Sequence, residues 1–199
     1  MLNESELTTL MSRPDLPRIA ENINAVLRNE QLARENFRHD LTPSMKAEFI
    51  AGEVVMHSPA KAKHLRVTVC LTRNDYEPDV CFFNTEKAVA FDGETMQFPA
   101  PDFIVEVLSA PTTFRDRGVK WDDYGLHGIN EYWIIDCDEQ TIEQYLIRSG
   151  ETKYHLARKL TDGEIESVVV TGFRIPVIAI FNAKQNHLTL QKILKSFES

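Results

Sequence analysis

The segment Phe103-Ile104-Val105-Glu106-Val107-Leu108 constrains the fold of this chain more than any other. Pro99 and Pro101 precede it and Pro111 follows it, so it reads as one short, deeply apolar strand. Alternate residues of a strand share a face, so Ile104, Glu106 and Leu108 point one way and Phe103, Val105 and Val107 the other. A glutamate inside such a strand is costly to bury unless it is paired or holds a metal. Thr113 to His127 then reads as a helix stopped by Gly128, and Tyr132 to Asp136 as the next strand. Strand, helix, strand is the pattern of two parallel neighbours joined by a crossover.

Around this unit the chain alternates short strands and turns. Glu48 to Met56 reads as two strands about a tight Ala51-Gly52 turn. Val67 to Leu71 and Val80 to Phe83 are strands with turn chemistry at Asn74-Asp75 between them. Thr141 to Ile147, Tyr154 to Leu160 and Glu166 to Ile180 continue the β character. A short helix is expected over His187 to Phe197. Residues 1–43 differ. Ile19, Ile23, Val26, Leu27, Ala33 and Phe37 recur near helical spacing, with Pro17 suited to a first turn. This predicts one long amphipathic helix with an irregular start, ended at Thr42-Pro43, whose apolar stripe packs on the main domain or on a second copy in a homodimer. The fold class is α/β (α+β), a central mixed sheet flanked by helices with a helix at the N-terminus.

Composition excludes several function classes. A net charge of −8 in 199 residues argues against a broadly basic surface for nucleic acid. The N-terminus has no signal-peptide pattern and no stretch approaches a membrane span, so a cytoplasmic protein with no membrane partner is expected. Cys70, Cys81 and Cys137 form no C-x-x-C pair and read as small buried hydrophobes in a reducing compartment. No phosphate loop, dinucleotide fingerprint, H-E-x-x-H or nucleophile elbow is present. His57 and His64 lack cysteines or acids at zinc spacing.

What remains is carboxylates and a lysine. Asp79 opens a strand after Pro78, sharing a face with Cys81 and Phe83. Asp116, Lys120 and Tyr124 fall at i, i+4 and i+8, on one helix face. Two carboxylates near a lysine suit phosphodiester hydrolysis. Mg²⁺ takes one or two protein carboxylates plus waters and phosphate oxygens, and a lysine steadies developing negative charge.

The segments EFIAGEVVMHSP (48–59), TRNDYEPDVCFF (72–83) and PDFIVEVLSAPTTFRDRGVKWDDYGLHGINEYWIID (101–136) resemble the Uma2 family of bacterial endonuclease-like proteins, across roughly residues 44 to 180. The resemblance implies a restriction-endonuclease-like core of the PD-(D/E)xK kind over 44–199, behind an N-terminal helical extension over 1–43. It implies Asp79 and Glu106 as ligands of Mg²⁺ (or Mn²⁺) and as catalytic residues, with DNA as substrate. The usual lysine two residues after the acid is absent, since position 108 is Leu108; the resemblance places it on the following helix as Lys120. Glu53 matches an acid lining the same pocket, His64 a histidine opening the first core helix, and Asp116 an acid orienting Lys120. Family members usually carry a helix and a further strand between that histidine and Asp79. Here the core is shortened between 64 and 78, which implies weakened catalysis.

Three readings follow. The first is an Mg²⁺-dependent endodeoxyribonuclease, served by a local basic cluster of Lys61, Lys63, His64, Arg66, Arg115 and Arg117. The second is a catalytically weakened or inactive interaction module on a nuclease fold. The third is a hydrolase of small phosphate esters.

Overall fold

The computed structural model describes residues 3–42, 45–56 and 67–196. In chain order the first elements are α1 (Glu4–Met11), α2 (Leu16–Asp40), β1 (Ala47–Ile50), β2 (Glu53–Met56), β3 (Thr68–Cys70), β4 (Asp75–Tyr76), β5 (Val80–Phe82), α3 (Thr85–Ala88) and β6 (Gln97–Phe98). There follow β7 (Phe103–Val107), α4 (Thr113–Asp116), α5 (Val119–Leu126), β8 (Glu131–Asp136), β9 (Thr141–Ile147) and β10 (Tyr154–Leu160). The chain closes with β11 (Glu164–Glu166), β12 (Arg174–Pro176), α6 (Val177–Phe181) and α7 (Ala183–Ser196). These elements form two compact units, one of Met1–His64 with Thr72–Tyr76, the other of Leu65–Leu71 with Glu77–Ser199.

In the first unit, β1 and β2 form the expected hairpin, Ala47 opposite Met56 and Ile50 opposite Glu53. Ala51 and Gly52 turn it at φ 49° and 90°. Positive φ at both central residues matches the right-handed twist of the strands they join, and glycine meets it without strain. Phe49 of β1 pairs on its other side with Asp75 of β4. Phe37, Ala47 and Phe49 form a small core with Ala33 and Leu41 packed against it. The expected long helix is α2, and a separate helix α1 precedes it, started by the reciprocal capping box of Asn3 and Glu6. Of the expected apolar stripe, Phe37 is buried, while Ile23, Val26 and Leu27 stay 50%, 54% and 45% exposed.

Asn74-Asp75 is not the simple turn its composition predicts. Asp75 is fully buried. Each of its oxygens accepts from both Arg34 and Arg38, at 2.6–2.9 Å. Arg34 also donates to the carbonyls of Thr72 and Asn74, and Asn74 Oδ1 accepts from the Ala51 amide at 2.8 Å. A sequence that reads as turn chemistry is therefore an anchor that joins the end of α2 to the 72–76 segment.

The second unit is built on a five-stranded mixed sheet in the order β10-β9-β8-β7-β5. β7 and β8 run parallel as expected, and the other neighbours run antiparallel. Pleating sorts its side chains. On one face Phe103, Val105, Trp133, Ile135 and Ile142 form the main core with Ile165 and Val177. Glu131 of β8 is buried on this face and is satisfied without a cation. Trp133 Nε1 and Gln144 Nε2 donate to its Oε1 at 2.6 and 2.7 Å, and Ser167 Oγ with the amides of Val168 and Val169 donates to its Oε2 at 2.7–3.0 Å. The opposite face carries Ile104, Glu106, Tyr132, Ile134, Glu143 and Tyr145. In β10 the pairing with β9 shifts between Leu156 and Arg158, leaving Ala157 as a bulge. β3 and β6 also pair in parallel within this unit.

Three expectations are corrected here. The helix expected over Thr113 to His127 is broken at Arg117-Gly118 into α4 and α5. Gly118 turns the chain so tightly that a Cβ there would lie 2.6 Å from the Phe114 carbonyl oxygen. The β character expected over Glu166 to Ile180 gives only β11 and β12, paired Glu164 to Pro176 through Glu166 to Arg174. Val177–Phe181 is helical, a short apolar run that composition cannot tell from a strand. Among the cysteines, Cys137 is exposed and Cys70 and Cys81 are half-buried, so none is a fully buried hydrophobe.

Candidate active site

Glu106 lies on β7, fourth from the bulged edge of the five-stranded sheet, and is only 3% exposed. The crossover through α4 and α5 brings its partners over it. Lys120 Nζ donates to Glu106 Oε1 at 3.0 Å, and the Tyr124 hydroxyl donates to the same oxygen at 2.9 Å. Lys120 is itself 2% exposed. Its Nζ also lies 3.1 Å from Asp116 Oδ1. That ion contact falls off the hydrogen-bonding direction, and Asp116 Oδ1 is buried with no hydrogen-bond partner. Asp116 closes α4 and Lys120 is the second residue of α5, so the break at Gly118 preserves their i,i+4 contact.

Asp79 immediately precedes β5. The antiparallel register pairs Val80 with Val105 and Cys81 with Ile104, so its continuation sets Asp79 opposite Glu106 on the same face. Asp79 is exposed and its Oδ2 accepts from the Val107 amide at 2.8 Å, which fixes it at the end of β7. The Glu106 charge is felt next door. The Cys81 thiol is pushed up to about 11 by burial and by that carboxylate. Burial, Glu106 and Asp116 also raise the Tyr132 hydroxyl well above its ordinary value, so it remains a donor, bonding the Asp116 carbonyl at 3.0 Å.

Thus the structure gathers Asp79, Glu106, Lys120 and Asp116 on one sheet face. Glu53 opens β2 in the first unit, with its side chain exposed. His64 lies outside the described residues, as do Lys61, Lys63 and Arg66. Arg115 stacks on Phe114, with its guanidinium carbon 4.7 Å from the ring centre.

Sequence reasoning placed Tyr124 on the Lys120 face without assigning it to the site. It placed Arg117 only in a basic cluster for nucleic acid, and it missed Glu143 altogether. The register sets Glu143 of β9 two strands from Glu106, in the row Glu106, Ile134, Glu143, Lys159. Arg117 Nη1, the Tyr145 hydroxyl and Lys159 Nζ donate to Glu143 at 2.5, 2.8 and 2.8 Å. This clasp pins the α4–α5 break onto the sheet. Burial alone would raise the Glu143 pKa; Arg117, Lys159 and Tyr145 outweigh it and bring it down to about 2. Because the folded value is depressed, this carboxylate's stabilisation is complete above its unfolded value near 4.5 and is lost as pH falls toward 2. Acid titration followed by circular dichroism is expected to show a flatter loss of stability between those limits for Glu143→Gln than for the wild type. Parallel curves would contradict the clasp.

The donor set has the chemistry of a hard-cation site. Asp79, Glu106 and Asp116 against Lys120 are three carboxylates to one ammonium, an excess of negative charge that a divalent ion offsets. Among the described residues no group of three or more His, Cys, Asp or Glu is placed to hold a metal. Magnesium commonly takes one or two protein carboxylates and completes its shell with water and phosphate oxygens, so the pair Asp79 and Glu106 fits it.

Residues 65–178 match the family model described as "Uma2: Putative restriction endonuclease". In fold the chain is similar to a crystal structure from Anabaena variabilis ATCC 29413, described as "a putative nuclease belonging to DUF820", with a TM-score of 0.57 and 18% identity over 75% of this chain and 96% of that one. No curated protein matches the chain in sequence. Among the described residues no helix is long and apolar enough to cross a membrane.

Proposed function

As this chain belongs to the Uma2 family of restriction-endonuclease-like proteins, we propose that it is a Mg²⁺-dependent endonuclease acting on DNA, with Asp79 and Glu106 as the metal ligands. The observation that carries this reading is the 3.0 Å bond from Lys120 to Glu106 beneath α5, with Asp79 brought opposite by strand register. A glutamate and a lysine buried together at 3% and 2% exposure form a costly arrangement for stability alone. A bound Mg²⁺ would acidify a coordinated water and offset charge on the scissile phosphate.

The chain's own groups divide the remaining work. Asp79 stands at the exposed end of the row, where a nucleic-acid backbone can reach it. Lys120 supplies the ammonium that meets the phosphate oxygen as negative charge develops there, and Asp116 holds it in place until then. The shortened 64–78 segment leaves this site with lower activity than in relatives with the full core.

The test is nicking of supercoiled plasmid with Mg²⁺ or Mn²⁺. Slow, metal-dependent nicking is expected, reduced about 100-fold or more by Asp79→Asn, the range for losing a group that acts on transition-state charge. Nicking that survives in chelator, or that Asp79→Asn leaves intact, refutes the assignment. The net charge of −8 favours one competing reading, an interaction module without catalysis. DNA binding with no metal binding by calorimetry would support that module instead. Metal binding without DNA affinity would point to a small phosphate ester as substrate.

A further inference from the structure

The Tyr124 hydroxyl is a feature that packing does not account for. The residue is fully buried, and a buried tyrosine needs one acceptor for its O–H. Two of its neighbours use backbone carbonyls: Tyr132 bonds Asp116 and Tyr154 bonds Ile129, at 3.0 and 2.6 Å. Tyr124 instead donates to a side-chain carboxylate, and to the oxygen of Glu106 that Lys120 also holds.

We propose that Tyr124 is a positioning residue for the Glu106 carboxylate. This rests on the reading of Asp79 and Glu106 as cation ligands. The Tyr124 ring is fixed edge-on against Tyr132, centroids 5.4 Å apart at 83°, so its hydroxyl has a defined direction. Lysine reaches Glu106 through a flexible four-carbon stem and carries charge that a phosphate competes for. Tyrosine reaches it from a rigid ring and carries none. When Lys120 turns toward a phosphate, the Tyr124 donor stays on Oε1. It keeps Glu106 in the rotamer that a cation would meet. The tyrosine pair also spans both carboxylates that flank Lys120, since Tyr124 holds Glu106 and Tyr132 holds the Asp116 backbone.

Mn²⁺ titration by calorimetry tests this, on wild type, Tyr124→Phe and Tyr154→Phe. Tyr124→Phe keeps the ring and removes the donor. Loss of such a supporting hydrogen bond is expected to weaken Mn²⁺ binding by about 10- to 100-fold. Tyr154→Phe loses a buried hydroxyl bond of similar kind and is expected to bind Mn²⁺ as the wild type does. Fluorotyrosine at position 124 keeps the shape and strengthens the donor, and should bind Mn²⁺ more tightly than the wild type even if Tyr124→Phe fails to fold. Wild-type affinity in both position-124 variants overturns the proposal. Wild-type protein that binds no Mn²⁺ overturns the ligand reading beneath it, a result distinguishable because it appears before any substitution is made.

Discussion

Lys120→Met is expected to cost about 3–5 kcal/mol of folding stability, the usual penalty for removing one partner of a buried ion pair. Methionine fills nearly the same space, so the loss is electrostatic and leaves no cavity to account for. It strands Glu106 and Asp116, both of which Nζ touches at 3.0–3.1 Å. Two carboxylates that lose their shared cation repel. Urea unfolding at pH 8 reads this directly. A loss below about 1 kcal/mol at pH 8, the scale of an exposed pair, would mean that the group is solvated. The same variant should lower plasmid nicking by about 100-fold or more.

Asp75→Asn is the second large effect, and it falls in the other unit. Asp75 receives both forks of two guanidinium groups. An amide offers one acceptor atom and no charge where the carboxylate offers two oxygens and a full charge. Arg34 and Arg38 would be left partly buried without their counter-ion, at a cost of about 3–5 kcal/mol. Hydrogen exchange should locate the damage. Amides in the last turns of α2 and in β1 should lose protection, while β8 and β9 keep theirs. Uniform loss across both units, or no loss at all, would contradict an anchor local to the first unit.

The strands of the second unit were legible because their alternation is local. Thr141–Ile147 and Tyr154–Leu160 carry their own pattern, and the strand–helix–strand order predicts the parallel β7–β8 pair. Glu106 stood out because a charge in an apolar strand conflicts with its neighbours. Asp75 did not, because its reason for burial lies about forty residues away in Arg34 and Arg38. Glu131 was overlooked for a related cause: its five donors come mainly from β9 and the 167–169 turn, far along the chain. Tyr124 shows the boundary most clearly. Helical spacing puts it on the Lys120 face, but only the packing of α5 over β7 shows what its hydroxyl bonds. The two buried glutamates also separate structure from chemistry. Glu131 is closed off by neutral donors, whereas Glu106 is held by a lysine beside an exposed aspartate.

The bulge at Ala157 bears on how copies of this protein coexist at high concentration. β10 ends the five-stranded sheet, and a flat edge strand is a template on which a second chain can add its own. The extra residue breaks the even spacing of outward amide and carbonyl groups and twists the strand locally. Arg158 follows it at once, so an incoming strand meets positive charge where the ladder is already irregular. Addition of a strand from another copy is thereby disfavoured along this edge.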